Sequence, residues 1–307
     1  MDSSYVPNAD LSTTDVFRVI DEIEQLGVFR IGFSGGEPFF REDFLDILDK
    51  CSQKNIRIGI TTNGSLINDV VVKRLAALKT LELVQISLDG PNAQTHNYIR
   101  GNDNSFKEAL NAIELLKKVG IKVGVVTTLM KTNVDLVPKI VDLIEELGVS
   151  VYGARRFIPV GKGSSRTKEL LISIDEYKKH LYYWNNLYLN NKSLQFTIEE
   201  PLLALIDNQS HICQGGNSYG AITADGDVRS CIFLPVSFGN VKEKTLKECW
   251  DYFKTTNAMD TSLGNSKCSI CTLVNICGGC RAMAYAEYGD VKGYDSLCFI
   301  NDINTAP

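Results

Sequence analysis

Long hydrophobic runs are missing from this sequence of 307 residues, whose apolar stretches are short and interrupted by charged side chains. A helix that spans a bilayer needs about 20 consecutive apolar residues. The segment Met1 to Tyr5 also provides neither the basic region nor the apolar core of a secretory signal peptide. The sequence therefore predicts a cytoplasmic protein with no membrane association.

An excess of charge of one sign is also absent. The 32 Lys and Arg residues nearly balance the 37 Asp and Glu residues, which leaves a net charge of −5 at pH 7. Nucleic acids and anionic membrane surfaces attract basic patches, so neither is an expected partner. A chain of this length can fold as one large domain or as two domains of ordinary size.

Cysteine is scarce in the first two thirds of the chain and concentrated in the last third. Cys51 is the only cysteine before Cys213, and eight of the nine cysteines lie in the last hundred residues. Cys51 and Cys249 fall on helical patterns and are interpreted as small buried hydrophobic residues. Disulfides are not expected in a protein that is not exported, so the other seven cysteines indicate metal binding or redox chemistry. These seven are Cys213, Cys231, Cys268, Cys271, Cys277, Cys280 and Cys298.

The spacing of these cysteines leaves two kinds of metal site open. Two Cys-x2-Cys pairs would supply the four thiolates of a closed zinc site, but the gap of five residues between the pairs is short for a zinc ribbon. Zinc would also leave Cys213, Cys231 and Cys298 without a role. Iron–sulfur clusters take about four thiolates each, so seven cysteines favour two clusters with one ligand position not filled by cysteine. Gly278 and Gly279 permit the close backbone approach that such ligation needs.

From residue 12 to about residue 191, amphipathic helices alternate with short apolar strands. Capping boxes predict helices that begin after Ser12 and Ser173. The alternation indicates βα units and a parallel sheet, either open and doubly wound or part of a (β/α) barrel, with its ligand site at the carboxyl ends of the strands. Strands are predicted over residues 29–33, 57–62, 83–88, 122–130 and 151–160, and further helices over residues 42–54, 68–78, 104–119 and 133–147.

The pattern changes near residues 192–212, where short strands, turns and cysteines replace the alternation. We therefore predict a barrel domain over residues 1–191, a linker over residues 192–210 and a cysteine-rich domain over residues 211–307.

Two strand ends and the cysteine-rich region resemble a known superfamily. The motifs are Gly35-Gly36-Glu37-Pro38, Ser87-Leu88-Asp89-Gly90 and Cys277-Gly278-Gly279-Cys280-Arg281-Ala282, together with Gly226-x4-Cys231. They resemble the radical S-adenosylmethionine (SAM) superfamily and its SPASM subgroup over nearly the whole chain. The resemblance implies an α/β fold: a partial (β/α) barrel of the radical SAM type, with its first strand missing here, followed by a small cysteine-rich α+β SPASM domain.

The resemblance also implies an activity. Family members are oxygen-sensitive oxidoreductases that use SAM and [4Fe-4S] clusters to generate a 5′-deoxyadenosyl radical. Members that modify tetrapyrrole side chains resemble this chain most, through the Cys277–Ala282 motif and the stretch Arg156–Gly161, and peptide-modifying members share much of the same sequence. The implied partners are a tetrapyrrole or peptide substrate and an electron donor such as ferredoxin or flavodoxin.

Residue roles follow from the same resemblance. In the family, the Gly-Gly-Glu-Pro strand end receives the amino group of SAM, polar side chains at neighbouring strand ends bind the ribose, and a basic residue pairs with the carboxylate. One auxiliary cluster would be held by four cysteines and the other by three, with a fourth position open to water, substrate or a side chain such as His211 or an aspartate. The implied SAM-binding residues are Gly35, Gly36, Glu37, Pro38, Asn63, Ser87, Asp89 and Arg100; the first ligand set is Cys268, Cys271, Cys277 and Cys298, and the second is Cys213, Cys231 and Cys280.

Radical initiation in this family depends on a Cys-x3-Cys-x2-Cys loop after the first strand, and these 307 residues contain no such motif. We therefore expect a fragment that does not cleave SAM as written, and whose strand over residues 29–33 exposes an apolar edge. The alternatives are a non-enzymatic iron–sulfur protein that serves electron transfer or binding, and a zinc-stabilised binding protein.

Overall fold

The structure, a computed structural model, describes residues 10–197, 199–256 and 267–300. These residues form two compact units. The first, called the sheet unit, comprises residues 11–155 and 192–197. The second, called the cysteine unit, comprises residues 156–191 and the described residues from 199 onwards, and it contains all cysteines except Cys51. The predicted limits of 1–191, 192–210 and 211–307 stay a prediction.

The sheet unit is built on a six-stranded sheet whose strands follow one another in chain order. Parallel pairing, as between Ile60 and Val84, confirms the predicted α/β fold. All five predicted strands are present, although the last ends four residues earlier than expected. The strands are β1 Arg30–Phe33, β2 Arg57–Thr62, β3 Leu81–Ser87, β4 Val123–Leu129, β5 Val151–Arg156 and β6 Gln195–Thr197.

Helices separate the strands and bury their apolar faces against them. Leu48, Leu75 and Leu116 on the helices and Ile58 and Val84 on the strands are completely buried. The helices are α1 Thr13–Gln25, α2 Phe44–Gln53, α3 Asp69–Ala77, α4 Ala93–Arg100, α5 Ser105–Lys118 and α6 Val137–Glu146.

Local signals explain where these helices begin and end. The predicted capping box precedes α1: the Ser12 hydroxyl accepts a hydrogen bond from the Asp15 amide, and the Asp15 carboxylate accepts one from the Ser12 amide. Gly27, at φ +70°, follows the end of α1. The predicted helix over 133–147 divides into a 3₁₀ turn, Val134–Leu136, and α6, whose second residue is Pro138.

The sequence analysis missed α4 and β6. Helix α4 is polar and only eight residues long, and His96 is its one buried residue, so it shows no apolar periodicity. Strand β6 has three residues, too few for a recognisable alternation, and it pairs in parallel with β5 from Val151 to Gly153. The sheet therefore extends into the stretch predicted as a linker.

The cysteine unit combines short helices with a small antiparallel sheet, which confirms the predicted α+β character. Its sheet has the order β7–β8–β9. The elements are α7 Thr167–Leu170, α8 Ile174–Asn190, α9 Ala204–Asp207, β7 Ala221–Ile222, β8 Asp227–Arg229, β9 Ser237–Asn240, α10 Leu246–Thr256 and α11 Arg281–Tyr288.

Helix α10 packs on the small sheet through Phe253, whose ring lies 4.5 Å from the Phe238 ring. Cys249, on the same helix, is completely buried, as predicted for a hydrophobic role. In the described ranges, no helix is both long enough and apolar enough to cross a membrane.

Candidate functional site

Glu37 joins the ends of the first two strands in the sheet unit. Gly35, at φ +145°, adopts a backbone conformation that favours glycine and turns the chain after β1. One Glu37 carboxylate oxygen accepts a hydrogen bond from the Thr62 hydroxyl at 2.6 Å, and the other accepts one from the Asn63 amide at 2.8 Å. Because both oxygens accept hydrogen bonds from β2, Glu37 holds the two strand ends together.

Asn63 is also engaged locally. Its side-chain oxygen accepts a hydrogen bond from the Ser65 amide at 2.8 Å and so closes the turn that follows β2. The amide of Gly64 donates to the Thr62 hydroxyl at 3.1 Å. This strand end is therefore a fixed loop in which Glu37 and Asn63 are neighbours.

Asp89 is hydrogen-bonded through both its side chain and its backbone. Its carboxylate lies 2.8 Å from the Arg100 Nε and accepts a hydrogen bond from the Thr128 amide at 2.8 Å. The Asn133 side chain donates to the Asp89 carbonyl at 2.9 Å. Burial raises the pKa of the Asp89 carboxyl, and the Arg100 charge and the Thr128 amide oppose that shift.

Helix α4 reaches this strand end because Gly90 has no side chain. A Cβ atom at Gly90 would lie 2.7 Å from the His96 backbone nitrogen and 2.7 Å from the Thr95 Cβ. The His96 Nδ1 accepts a hydrogen bond from the Asp89 amide at 3.0 Å. Burial, together with the nearby Arg100 charge, lowers the pKa of His96 to about 4, so the ring is neutral near pH 7.

The structure thus unites two pairs of predicted residues, Glu37 with Asn63 and Asp89 with Arg100. Ser87, the last residue of β3, lies in register with Val126 of β4. Three of the residues that fix these pairs were missed by sequence reasoning because their polar side chains carry no periodic signal; they are His96, Thr128 and Asn133.

In the cysteine unit, one cavity contains the complete first ligand set. Cys268, Cys271, Cys277 and Cys298 all line it. Gly278 and Gly279 also line it, at φ +68° and +62°, so the backbone approaches the cavity in a conformation that favours glycine.

The described residues contain no group of three or more His, Cys, Asp or Glu side chains close enough together for a single metal ion. The four thiols that line the cavity equal the number of thiolates that a [4Fe-4S] cluster takes.

Burial makes four of the seven candidate ligand thiols weaker acids in the absence of a metal. It raises the pKa of Cys277 and of Cys280 to about 12, and for Cys280 the Arg156 charge is the largest opposing influence. Burial also raises the pKa of Cys231 and of Cys298. Thiolates that coordinate iron must be deprotonated, so metal binding at these positions releases protons.

The second ligand set is assembled in part. The Cys213 thiol lies 3.3 Å from the Tyr219 hydroxyl and accepts a hydrogen bond from the Gly215 amide at 3.4 Å. A Cβ atom at Gly215 would lie 2.9 Å from the Ser230 carbonyl, so the loops that carry Cys213 and Cys231 touch at this glycine.

Two further residues of this region have defined partners. His211, the predicted alternative ligand, lies 2.7 Å from the Asp207 carboxylate through its Nε2. The Cys280 amide donates to the Asp295 carboxylate at 2.9 Å. Cys280 therefore lies beside a buried carboxylate that sequence reasoning did not identify.

Parallel strands with polar ends and a second unit rich in cysteine define a cofactor-binding α/β protein. Residues 3–152 match the sequence profile of the radical SAM superfamily, and residues 213–281 match that of the SPASM iron–sulfur cluster-binding domain. The chain belongs to the radical SAM superfamily, with a SPASM domain.

Similar curated proteins include heme and coproporphyrin synthases and mycofactocin maturases. The chain is 29% identical over 316 residues to the AdoMet-dependent heme synthase of Methanosarcina barkeri, covering 96% of this chain and 89% of that protein. It is 29% identical over 330 residues to the Fe-coproporphyrin III synthase of the same organism, covering 95% and 80%. It is 28% identical over 304 residues to mycofactocin maturase MftC of Mycolicibacterium smegmatis, covering 94% and 75%.

Solved structures share the fold. Streptococcus suis SuiB bound to S-adenosylmethionine matches 94% of this chain and 70% of its own, with a TM-score of 0.75 and 20% identity. The structure of anSMEcpe with bound AdoMet matches 94% and 85%, with a TM-score of 0.73 and 21% identity.

Proposed function

We propose that this chain is the SAM-binding and auxiliary-cluster portion of a radical SAM/SPASM oxidoreductase that modifies a tetrapyrrole side chain. The observation that carries the proposal is the cavity lined by Cys268, Cys271, Cys277 and Cys298, which four-thiolate ligation of a [4Fe-4S] cluster fits. The relatives named as heme synthase and Fe-coproporphyrin III synthase support a tetrapyrrole.

SAM would lie at the carboxyl ends of β1 to β3. The backbone carbonyls at Gly35 and Gly36 are suitable acceptors for its ammonium group, because both Glu37 oxygens already accept hydrogen bonds from β2. The Nε of Arg100 faces Asp89, which leaves the other guanidinium donors for the SAM carboxylate. Ser87, Asn63, Asp89 and Pro38 complete the proposed site, and a ribose hydroxyl at Asp89 would share its carboxylate with Arg100.

Two auxiliary clusters would occupy the cysteine unit. The first is held by the four cysteines around the cavity and the second by Cys213, Cys231 and Cys280, with Tyr219 next to Cys213 at its edge. The clusters supply electron transfer when bound, whereas the protein binds, orients and shields them. An electron donor such as ferredoxin or flavodoxin is part of the proposal.

Hydrogen abstraction from the substrate is the chemistry that SAM and a reduced cluster supply in this family. The cysteines of this sequence include no Cys-x3-Cys-x2-Cys motif. We therefore propose that SAM cleavage requires such a segment in addition to these 307 residues.

The first experiment is anaerobic reconstitution of the chain with iron and sulfide, followed by metal analysis and electron paramagnetic resonance (EPR). Two clusters predict about eight iron atoms per chain and a brown protein. A colourless protein that takes up zinc in place of iron would support the zinc-stabilised alternative.

The second experiment separates an enzyme from an electron-transfer or binding protein. The chain is compared with a version extended by a radical SAM three-cysteine segment, and the 5′-deoxyadenosine formed after reduction is measured. Product from the extended version alone is the expected result. Absence of product from both, with clusters fully loaded, would contradict the enzyme proposal.

A peptide is the second candidate substrate, because the relatives include mycofactocin maturases and one related structure is SuiB bound to its precursor peptide SuiA. Iron-coproporphyrin and a short peptide can each be titrated into the cluster-loaded chain. A shift in the EPR spectrum with iron-coproporphyrin is expected, and a shift with the peptide alone would reverse the substrate assignment.

A further inference from the structure

Arg156 lies at the centre of a buried ionic network in the cysteine unit. Its side chain is only 4% exposed. Its Nη1 donates to the two Asp295 carboxylate oxygens at 2.8 and 2.7 Å, and its Nε donates to Glu200 at 2.9 Å, with Nη2 bonded to the other Glu200 oxygen. One guanidinium is thus paired with two carboxylates.

Glu200, one of the two carboxylates of this network, accepts further hydrogen bonds. The Tyr177 hydroxyl and the Leu202 amide both donate to Glu200. The Arg156 guanidinium also lies over the Tyr177 ring, 5.2 Å from its centroid. Glu200 therefore has several donors, and they fix the position of Arg156.

Asp295, the other carboxylate of the network, is hydrogen-bonded to cysteines of both ligand sets. Asp295 is completely buried and lines the cavity of the first set. Its carboxylate accepts the Cys280 amide at 2.9 Å, and its carbonyl accepts the Cys298 amide at 2.9 Å. Cys280 belongs to the second proposed set and Cys298 to the first, so Asp295 is hydrogen-bonded to the backbone of both sets.

The backbone around Asp295 is packed closely. A Cβ atom at Gly279 would lie 3.0 Å from the Asp295 Cβ and 2.9 Å from an Arg281 nitrogen. Only glycine allows this approach, which brings the Gly278–Gly279 segment against the carboxylate. Asp295 is therefore held at a fixed place beside Cys280.

The network has an uneven charge, since Glu200 and Asp295 bring two negative charges against the single positive charge of Arg156. Removing charges from water is costly, and apolar side chains of similar volume often pack as stably as a buried ion pair does. Stability alone therefore does not account for ionised groups at this position. Local net charge is, however, a principal determinant of iron–sulfur reduction potentials.

We propose that the Arg156–Asp295 ion pair is a shared positioning and electrostatic element of both auxiliary-cluster sites, which sets the reduction potentials of the two clusters together. This inference rests on the proposed function, because it requires clusters at the two cysteine sets. Reduction adds an electron to a cluster, so a nearby negative charge disfavours it and a nearby positive charge favours it. The two partners of the pair should therefore act in opposite directions.

The test is a redox titration of the full chain with reconstituted clusters, followed by EPR. Asp295→Asn removes a negative charge and should raise the midpoint potentials of both clusters. Arg156→Met removes the positive charge and should lower both. Arg156→Lys keeps the charge and should stay closest to the wild-type potentials.

A merely structural role predicts a different result, in which both substitutions lower iron content or broaden the spectra with no opposite shifts. Opposite shifts support the proposal. Unchanged potentials in Asp295→Asn at full iron content, or a shift of one cluster only, would overturn it. Asp251→Asn, an exposed carboxylate of the same unit that pairs with Lys247, is the matched control and should leave the potentials unchanged.

A further variant, Glu200→Gln, tests the proposal even if Asp295→Asn cannot be loaded with iron. Glu200→Gln leaves Asp295 and the cysteines intact and removes the negative charge of Glu200. Because Asp295 and not Glu200 is hydrogen-bonded to Cys280 and Cys298, this variant should raise both potentials by less than Asp295→Asn does. No shift in Glu200→Gln, when Asp295→Asn cannot be loaded, would overturn the proposal. A wild-type chain that takes up no clusters would contradict the proposed function itself, and iron analysis distinguishes that failure from this one.

Discussion

The Arg100 guanidinium lies 2.8 Å from the Asp89 carboxylate at the end of the third strand of the sheet unit. The Asp89 side chain is 2% exposed and the Arg100 side chain 29% exposed. One partner is thus fully desolvated, and the other retains contact with water. A family resemblance assigned the two residues to different groups of SAM, but in the structure they form one pair, and Asp89 orients Arg100.

The first prediction concerns this asymmetry in exposure. Arg100→Met leaves a buried carboxylate without its cation, and we expect it to lower the free energy of unfolding by about 3 kcal/mol. Asp89→Asn keeps an acceptor for the Thr128 amide and leaves a cation that water can reach, so about 1 kcal/mol is expected. Urea denaturation of both variants measures the difference.

Arg18→Met is the control for that measurement. Arg18 pairs with Glu22 at 2.6 Å, and its side chain is 40% exposed. A surface pair of this kind contributes less than about 1 kcal/mol. An equal effect of Arg18→Met and Arg100→Met would show that the burial of Asp89 is not what makes its pair strong.

The second prediction concerns Glu37, whose hydrogen bonds to Thr62 and Asn63 connect the ends of the first two strands. Glu37→Ala removes both carboxylate oxygens, so the Thr62 hydroxyl and the Asn63 amide both lose their acceptor. We expect a loss of about 2 kcal/mol in the free energy of unfolding and faster hydrogen exchange at the Asn63 amide. Glu42→Ala, at an exposed position, should change neither, and unchanged slow exchange at Asn63 in Glu37→Ala would refute this role of Glu37.

The third prediction distinguishes cysteines that bind iron from one that packs. Cys271→Ala removes a thiol from the cavity of the first ligand set and should lose about one cluster, or about four iron atoms per chain. Cys249→Ala alters a completely buried side chain outside both sets and should keep the full iron content. Iron analysis after reconstitution checks both, and comparable iron loss in Cys249→Ala would overturn the ligand assignment.

The fourth prediction concerns pH. Burial lowers the pKa of His96 and of His180 to about 4 from an ordinary value of 6.5. At pH 5 the folded protein keeps both rings neutral, whereas the unfolded chain protonates them. Because the unfolded state binds more protons, the free energy of unfolding should fall between pH 7 and pH 5, by about 2 kcal/mol for each histidine.

Denaturation of the metal-free chain at pH 7, 6 and 5 measures this loss. His180→Phe keeps an aromatic ring beside Tyr177 and Trp184 and removes one of the two groups that titrate. It should reduce the loss by about half. A variant with the same pH dependence as the wild type would exclude His180 as a contributor.

Much of the fold was predictable because its signals are local. The apolar strands, the capping boxes at Ser12 and Ser173 and the glycine after the first helix act over a few residues, and the structure confirms them. The fourth helix and the sixth strand were missed because one is polar and the other has three residues. Each is held by tertiary contacts: the helix by its approach to Gly90, and the strand by pairing with the fifth strand.

The residues of the candidate site also divide into those that local sequence signals indicate and those that they do not. Glycine-rich strand ends and closely spaced cysteines are visible in the sequence, because tight turns and thiolate ligation require those residue types. The partners of those residues are not visible. Arg156 begins a stretch that resembles tetrapyrrole-modifying members, but nothing in the sequence indicated that it pairs with Asp295, which is 139 positions away in a stretch with no recognised motif.

The sequence alone determined most of the helices and strands and which cysteines are candidate iron ligands, since these depend on local conformational preference and residue chemistry. Only the tertiary structure decided that Asp89 pairs with Arg100, that Glu37 is engaged by the second strand, and that Asp295 reaches Cys280. A charged side chain can pair with any opposite charge that folding brings near. Burial, which selects the partner and strengthens the pair, exists only once the chain has folded.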